Sequence, residues 1–294
     1  MKNKCIIILS VKSSGSSACQ NFLCKSSKVR HLSKTRHGEN ETLYWTKAAS
    51  LLELPQINMI DSEVPIKKEK AKADLLKLLH DNIDSYTPPE NDIDFVFDGW
   101  RNLCEKFNPV YLEKSPHHLL QWSNLELIQQ FIESKNNVDI HIIGLVRNPM
   151  DTLYSAWSRW GTIPELNQTE WVIAYNNLFQ LKELLGDQVH IVKYEDMVKN
   201  PDTLIEEFKF IGDTESLPDQ RYFHKKSVSK WKSDNNYGFN LSSEAISLAR
   251  KYGYSDDDLL NTSKTLWVYY KRYYRAIKVI SKWFVKFKNK AKGG

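Results

Sequence analysis

Four short apolar runs, rich in β-branched residues, punctuate the chain: Cys5–Leu9 (CIIIL), Val110–Glu113 (VYLE), Val138–Val146 (VDIHIIGLV) and Val189–Lys193 (VHIVK). Runs of this length bounded by polar sequence predict buried strands. Between them the apolar spacing becomes helical. It predicts a helix setting in around Ala18–Leu23 and others over Glu41–Leu54, Ile66–Ile83 and Phe95–Phe107. Further helices are predicted through Phe131, after Asn148-Pro149, and over Trp171–Leu185 and Pro201–Ile211. Lys25–Asn40 and Pro55–Pro65 read as loops. Strands alternating with helices predict an α/β fold with a parallel sheet covered on both faces. Neither an internal repeat nor a low-complexity linker divides it. One domain is expected over 1–260, with 261–294 as a helical extension of it.

The polar residues at the strand ends carry the candidate chemistry. In Gly144–Gly161 (GLVRNPMDTLYSAWSRWG), Asn148 can cap a helix, Pro149 suits its first turn and Asp151 complements the positive end of its dipole. Asp151, Ser155 and Arg159 recur every four residues and share a helix face. Arg147 falls at the carboxyl end of the strand, where open α/β sheets place ligands. The first strand runs into SVKSSGSS and then helix, the layout of a phosphate-cradling loop in a P-loop-like, three-layer fold. It is not a Walker A sequence, because no Lys-Ser/Thr pair follows the glycine. Lys114-Ser115-Pro116-His117-His118 follows the second long strand.

Charge and composition narrow the picture. The net charge of +5 hides ten Lys or Arg and no acid between Thr262 and Gly294, which leaves 5 − 10 = −5 for the rest. A mildly acidic body argues against a nucleic-acid-binding domain. Four cysteines (Cys5, Cys19, Cys24, Cys104) lack metal-ligand spacing and read as reduced thiols of a cytosolic protein. No apolar run is long enough to span a membrane, and MKNKCIIILSVK is too short in apolar residues for a signal peptide. In the tail, Leu266, Tyr270, Tyr273, Ile277, Ile280, Phe284 and Phe287 repeat at four-three spacing among Lys271, Arg275, Lys278, Lys282 and Lys286. That seam, within 264–288, predicts a helix packed on its own domain, a homodimer contact, or an interfacial helix peripheral to the inner membrane surface.

Three stretches together resemble the sulfotransferase family, whose members transfer sulfuryl from 3′-phosphoadenosine 5′-phosphosulfate (PAPS) and release adenosine 3′,5′-bisphosphate (PAP). SVKSSGSSA resembles the family's 5′-phosphosulfate loop, RNPMDTLYSAWSR its 3′-phosphate motif, and VKYEDMVKNPDTLIEEFKFIG its Tyr-Glu-Asp segment. LEKSPHHL and SVSKWK look like pieces of the prokaryotic, carbohydrate-type branch.

The resemblance implies that Ser13, Ser14, Gly15, Ser16 and Ser17 hold the phosphosulfate and that Arg147 and Ser155 hold the 3′-phosphate. Tyr194 would lie against the adenine, and Lys230 and Lys232 would add charge on the 3′-phosphate side. Arg159 ranks below them, as a residue that pairs along the helix face. A guanidinium suits the phosphate because it gives forked, charge-assisted hydrogen bonds. The family's loop cation usually lies two residues before the glycine, where this chain has Ser13; the lysine is Lys12, one residue early. Lys12 and Lys114 are therefore both candidates for the charge at the transferred group. For the base, Glu41-Thr-Leu-Tyr44-Trp45 looks like the Glu-x-His-Phe-Phe segment of carbohydrate sulfotransferases, with Glu39 as its near neighbour. His117 and His118 follow Lys114 much as a base histidine follows its lysine in small-phenol enzymes. Glu41 ranks first and His117 second.

The expected reaction is sulfuryl transfer to a hydroxyl of a sugar, a lipid-linked molecule or another small alcohol, without a metal. A P-loop-type kinase and a non-catalytic nucleotide-binding, membrane-associated module are the alternatives.

Overall fold

The computed structural model describes residues 3–35, 37–60, 62–134, 137–211, 223–263 and 265–291, without the side chains beyond Phe284. Five parallel strands form one sheet: β1 (Asn3–Leu9), β2 (Val29–Arg30), β3 (Val110–Lys114), β4 (Val138–Val146) and β5 (Val189–Lys193), in the order β2-β3-β1-β4-β5. The four predicted strands are present. β2 was not predicted; two residues at a sheet edge are too few to show a period. Cys5–Leu9 of β1 has no exposed surface, which is why its apolar run is unbroken rather than alternating.

The helices between the strands are α1 (Ser16–Leu23), α2 (Tyr44–Leu51), α3 (Lys68–Asn82), α4 (Asp92–Lys106), α5 (Trp122–Glu133), α6 (Pro149–Trp160) and α7 (Pro164–Leu185). After β5 come α8 (Tyr194–Lys199), α9 (Asp202–Glu207), α10 (Ser243–Lys251), α11 (Asp256–Leu259) and α12 (Trp267–Ala291). α7 starts seven residues before the predicted Trp171, with Pro164 in its first turn. The predicted helix 201–211 is only six residues of α9 followed by a 3₁₀ turn, with Pro201 as its N-cap.

The chain groups into two compact units, Met1–Arg147 with Ile173–Lys225, and Asn148–Val172 with Lys226–Gly294. In the first, the register pairs Ile8 with Lys114, Leu9 with Gly144 and Val146 with Lys193. The carboxyl ends of β1, β3, β4 and β5 therefore fall along one edge of the sheet, those of β4 and β5 running two residues past the end of β1, and the strand order reverses about β1. Ligand crevices of open α/β sheets form at such an edge. Trp45 and Trp100, with ring centroids 4.8 Å apart, join Tyr44 and Tyr111 in an aromatic core.

The second unit is centred on Trp157, whose ring meets Tyr237, Trp267 and Tyr274. Asn148 caps α6 as predicted, accepting from the Met150 amide at 2.8 Å and the Asp151 amide at 3.4 Å. α12 packs here through Trp267, Tyr270, Lys271, Tyr274 and Lys278, with Lys271 on the Glu165 carboxylate at 2.6 Å. The predicted four-three seam is not the packed face, because the aromatic cluster around Trp157 draws in Trp267 and Tyr274. Tyr273 and Ile280 of that seam stay exposed; Lys286 and Phe287 lie outside the described side chains.

Candidate active site

The loop after β1 turns through Ser13 (φ 67°) and Gly15 (φ 90°), both left-handed, before α1 begins. Gly15 is required there: a Cβ would lie 2.3 Å from the Tyr194 ring. No side chain caps α1, and its first turn holds no acid, so the helix keeps its amide donors for an anion. The Oγ atoms of Ser10 and Ser13 are buried without a hydrogen-bond partner among the described residues. Ser14 Oγ meets the Tyr175 hydroxyl at 3.2 Å, and that hydroxyl donates to the Leu145 carbonyl at 2.9 Å, tying the loop to β4. Tyr175 gave no sign of this in the sequence, where it reads as one more apolar position of α7.

Arg147, at the end of β4, donates to the Ser13 carbonyl at 2.8 Å and lies 4.6 Å over the Tyr194 ring. Loop, arginine and tyrosine are thus one cluster in the first unit.

The second feature of this edge is a buried ion pair. Lys114 has no exposed surface, and its Nζ lies 3.2 Å from Glu41 Oε1, 3.0 Å from the Glu39 carbonyl and 3.3 Å from Ser17 Oγ. The Ser17 hydroxyl donates to the Glu39 carboxylate, so the start of α1 and the segment before α2 meet at the lysine. Glu41 Oε2 lies 3.1 Å from His37 Nδ1 and 3.8 Å from His117 Nδ1. Burial raises the Glu41 pKa, but the His37 hydrogen bond and the charge of Lys114 outweigh it and hold the carboxyl below its usual value. Burial and then the Lys12 charge push His117 down to about 3, which makes it a neutral imidazole at pH 7. Lys12 reaches the Ile60 carbonyl at 3.5 Å. His37 was missed in the sequence: four residues before Glu41, in a loop, it carries no periodic signal.

Beneath the ion pair lies a polar network. Glu113 accepts from Ser115 Oγ at 2.5 Å and Thr42 Oγ1 at 2.7 Å, and lies 3.3 Å from His118 Nε2. Ser115 Oγ accepts from the Thr42 and Leu43 amides, and His118 Nδ1 meets Thr46 Oγ1 at 3.0 Å. These bonds join the segment after β3 to the segment holding Glu41. His118 faces Glu113 and α2 rather than Glu41. Glu39, Asn40 and Leu43 all have positive φ, the kind of backbone strain that collects at functional sites.

A cleft of about 200 Å³ adjoins this centre, lined by His37, Leu43, Lys47, Asp74 and Lys77 among others. Apart from Leu43 and Leu78, every lining side chain is polar or charged.

In the second unit, Ser155 is half-buried on α6 and the Arg159 guanidinium lies 5.0 Å from the Trp160 ring. Asp151 accepts the Ser229 amide at 2.9 Å, fastening the loop whose exposed Lys230 and Lys232 flank buried Trp231. Among the described residues no group of three or more His, Cys, Asp or Glu could hold a metal, and no helix is long and apolar enough to cross a membrane.

A serine-rich loop with an uncapped helix start, a guanidinium and a buried lysine–carboxylate pair lie along one sheet edge. No curated protein matched the chain. The model of the sulfotransferase family matches residues 5–208, and the chain belongs to that family as a PAPS-dependent sulfotransferase.

Proposed function

We propose that the protein transfers sulfuryl to an aliphatic hydroxyl of a small, polar acceptor, a sugar or a lipid-linked alcohol, in the manner of the carbohydrate-type branch. The observation that carries this reading is Lys114 with no exposed surface, 3.2 Å from Glu41 and 3.3 Å from Ser17. Charge held in a water-excluded place costs no reorganisation when the reaction needs it. The orphaned hydroxyls of Ser10 and Ser13 and the uncapped start of α1 fit the phosphosulfate end of the donor.

When bound, the donor supplies the sulfuryl group and a phosphate leaving group. Ser13, Ser14, Gly15, Ser16 and Ser17 offer amides and hydroxyls to it, with Lys12 and Lys114 as the cations nearest the loop. Glu41 takes the acceptor's hydroxyl proton, and His37 and the neutral His117 hold its carboxylate in place. His117 is the second choice for that base. Arg147 and Ser155 occupy the positions of the arginine and the serine that hold the 3′-phosphate in the family's motif, and Tyr194 walls the adenine side. Lys230 and Lys232 add positive charge. The cleft beside His37 has charged side chains around it, among them Lys47, Asp74 and Lys77, whose heads offer hydrogen bonds to a polyhydroxylated acceptor. Four unpaired thiols suit action in a reducing, cytoplasmic compartment. The packing of α12 on Trp157 and Glu165 supports reading 261–294 as an extension of the 1–260 domain.

The family match favours sulfuryl transfer over the kinase and binding-module alternatives. Thermal-shift measurements with PAP and with ATP and magnesium test the donor: PAP stabilises the protein, and stabilisation by ATP alone overturns the reading. Mass spectrometry of a panel of sugars and phenols incubated with PAPS then tests the acceptor. Sulfation confined to phenols would refute the polar-acceptor assignment.

A further inference from the structure

The packed side of α12 leaves its opposite side turned outward, and that side is apolar. Tyr269, Tyr273, Ile280 and Phe284 are 69%, 65%, 54% and 61% exposed, and with Ile277, Ala276 and Trp283 they fall on one continuous arc of the helix. A face of this size in water is a docking surface rather than scattered surface hydrophobicity. Exposed Arg272, Arg275 and Lys282 border the arc on one side. Between Thr262 and Gly294 there are ten Lys or Arg and no acid.

We infer that α12 is an interfacial helix that lays its outward face on an anionic lipid bilayer. Charge decides between the possible occupants. Pairing two copies along this face would bring the arginines of one α12 near those of the other, with no acid in the segment to offset them. A negatively charged headgroup layer complements the same cations, while the acyl region takes Ile277, Ile280 and Phe284. Tyr and Trp belong at the boundary between the two, where an apolar ring body and a polar tip are both satisfied. The helix is not apolar enough to cross a bilayer, so it lies in the plane of the surface.

Flotation of the full-length protein with phosphatidylcholine vesicles, with and without phosphatidylglycerol, tests this. The protein floats with the anionic vesicles, stays behind with the neutral ones, and is partly released by high salt. Arg272→Gln with Arg275→Gln weakens binding by about thirtyfold, each arginine near the surface being worth roughly a fivefold factor. Tyr273→Asp with Ile280→Asp abolishes it, and both pairs keep the wild-type melting temperature because the sites are exposed. Failure of the wild-type protein to bind anionic vesicles, or unchanged binding by both variants, overturns the proposal. So does a dimer in light scattering that Ile280→Asp dissociates while vesicles recruit nothing.

Discussion

Lys114 Nζ and Glu41 Oε1 lie 3.2 Å apart, and the lysine has no exposed surface. A charge in that position depends on its partner, because removing one member of a buried pair strands the other. Lys114→Met lowers kcat at saturating PAPS by on the order of a hundredfold or more, through loss of preorganised charge at the reacting group. Lys114→Arg keeps the charge but must fit a larger head beside Ser17 and Glu39, and it recovers only part of the rate. Steady-state kinetics on an acceptor identified from the panel checks both; a wild-type rate for Lys114→Met would remove the lysine from the chemistry.

Glu41→Gln keeps the shape of the carboxyl and its contacts with His37, but it cannot accept a proton. Transfer falls by about 10²–10⁴-fold, the usual worth of a positioned base. PAP continues to stabilise the variant against heat. Retained transfer with Glu41→Gln, together with loss in His117→Asn, would reassign the base to the histidine.

His117 sets part of the pH dependence of stability. Its folded pKa of about 3 lies below the 6.5 of an unfolded histidine, so the unfolded chain binds more protons between those values. The stabilisation is complete above pH 6.5 and is lost as pH falls toward 3. Glu41 adds a loss of the same sign at lower pH, since its folded pKa also lies below the unfolded one. His117→Asn flattens the urea-midpoint profile from pH 6.5 downward, by at most about 1.4 kcal/mol per pH unit for one proton. An unchanged acid slope would show that the imidazole is hydrated.

Gly15 and Tyr194 couple in a way a double substitution can measure. Gly15→Ala meets the Tyr194 ring 2.3 Å away and adopts φ 90°, which L side chains avoid. The left-handed conformation alone costs about 1–3 kcal/mol. Tyr194→Ala in the same chain relieves the clash but not the backbone strain, so chemical denaturation finds the double variant more stable than the sum of the singles. Strict additivity would place the ring away from the loop.

Glu113 is buried with three partners, Ser115, Thr42 and His118. Glu113→Ala leaves all three without their acceptor and lowers stability by about 3–5 kcal/mol. Glu113→Gln is milder, because it keeps one carbonyl oxygen for the hydroxyls. Because the same bonds hold Glu41 and Lys114, the surviving Gln variant also loses kcat more than its KM for PAPS rises.

Much of the fold was legible because β1 and the later half of β4 are buried on both faces, so CIIIL and IIGLV announce themselves as unbroken apolar runs. Asn148, Pro149 and Asp151 marked the start of α6 through local hydrogen bonding, which sequence carries well. What sequence could not carry is proximity. Lys114 and Glu41 each stood out beside a strand or a helix start, but their meeting depends on Thr42 and Leu43 bonding to Ser115, 72 or 73 positions away. His37 entered the site through a loop without periodicity. In the tail the four-three spacing is real but could not say which side packs: that side was chosen by Trp157, an aromatic ring over a hundred positions upstream, and most of the seam was left outward.

The Glu41 carboxylate shares its two oxygens among Lys114, His37 and His117. Held in that company it is a feeble proton acceptor, and the idle enzyme gains nothing by being otherwise. An anion seated at Lys114 would draw off part of the positive field that steadies the carboxylate and raise its affinity for a proton. The strength of the base would then report whether the neighbouring seat is filled. Donor occupancy and readiness to deprotonate the acceptor would become one coupled equilibrium, and wasteful encounters with acceptor alone would find the carboxylate disarmed.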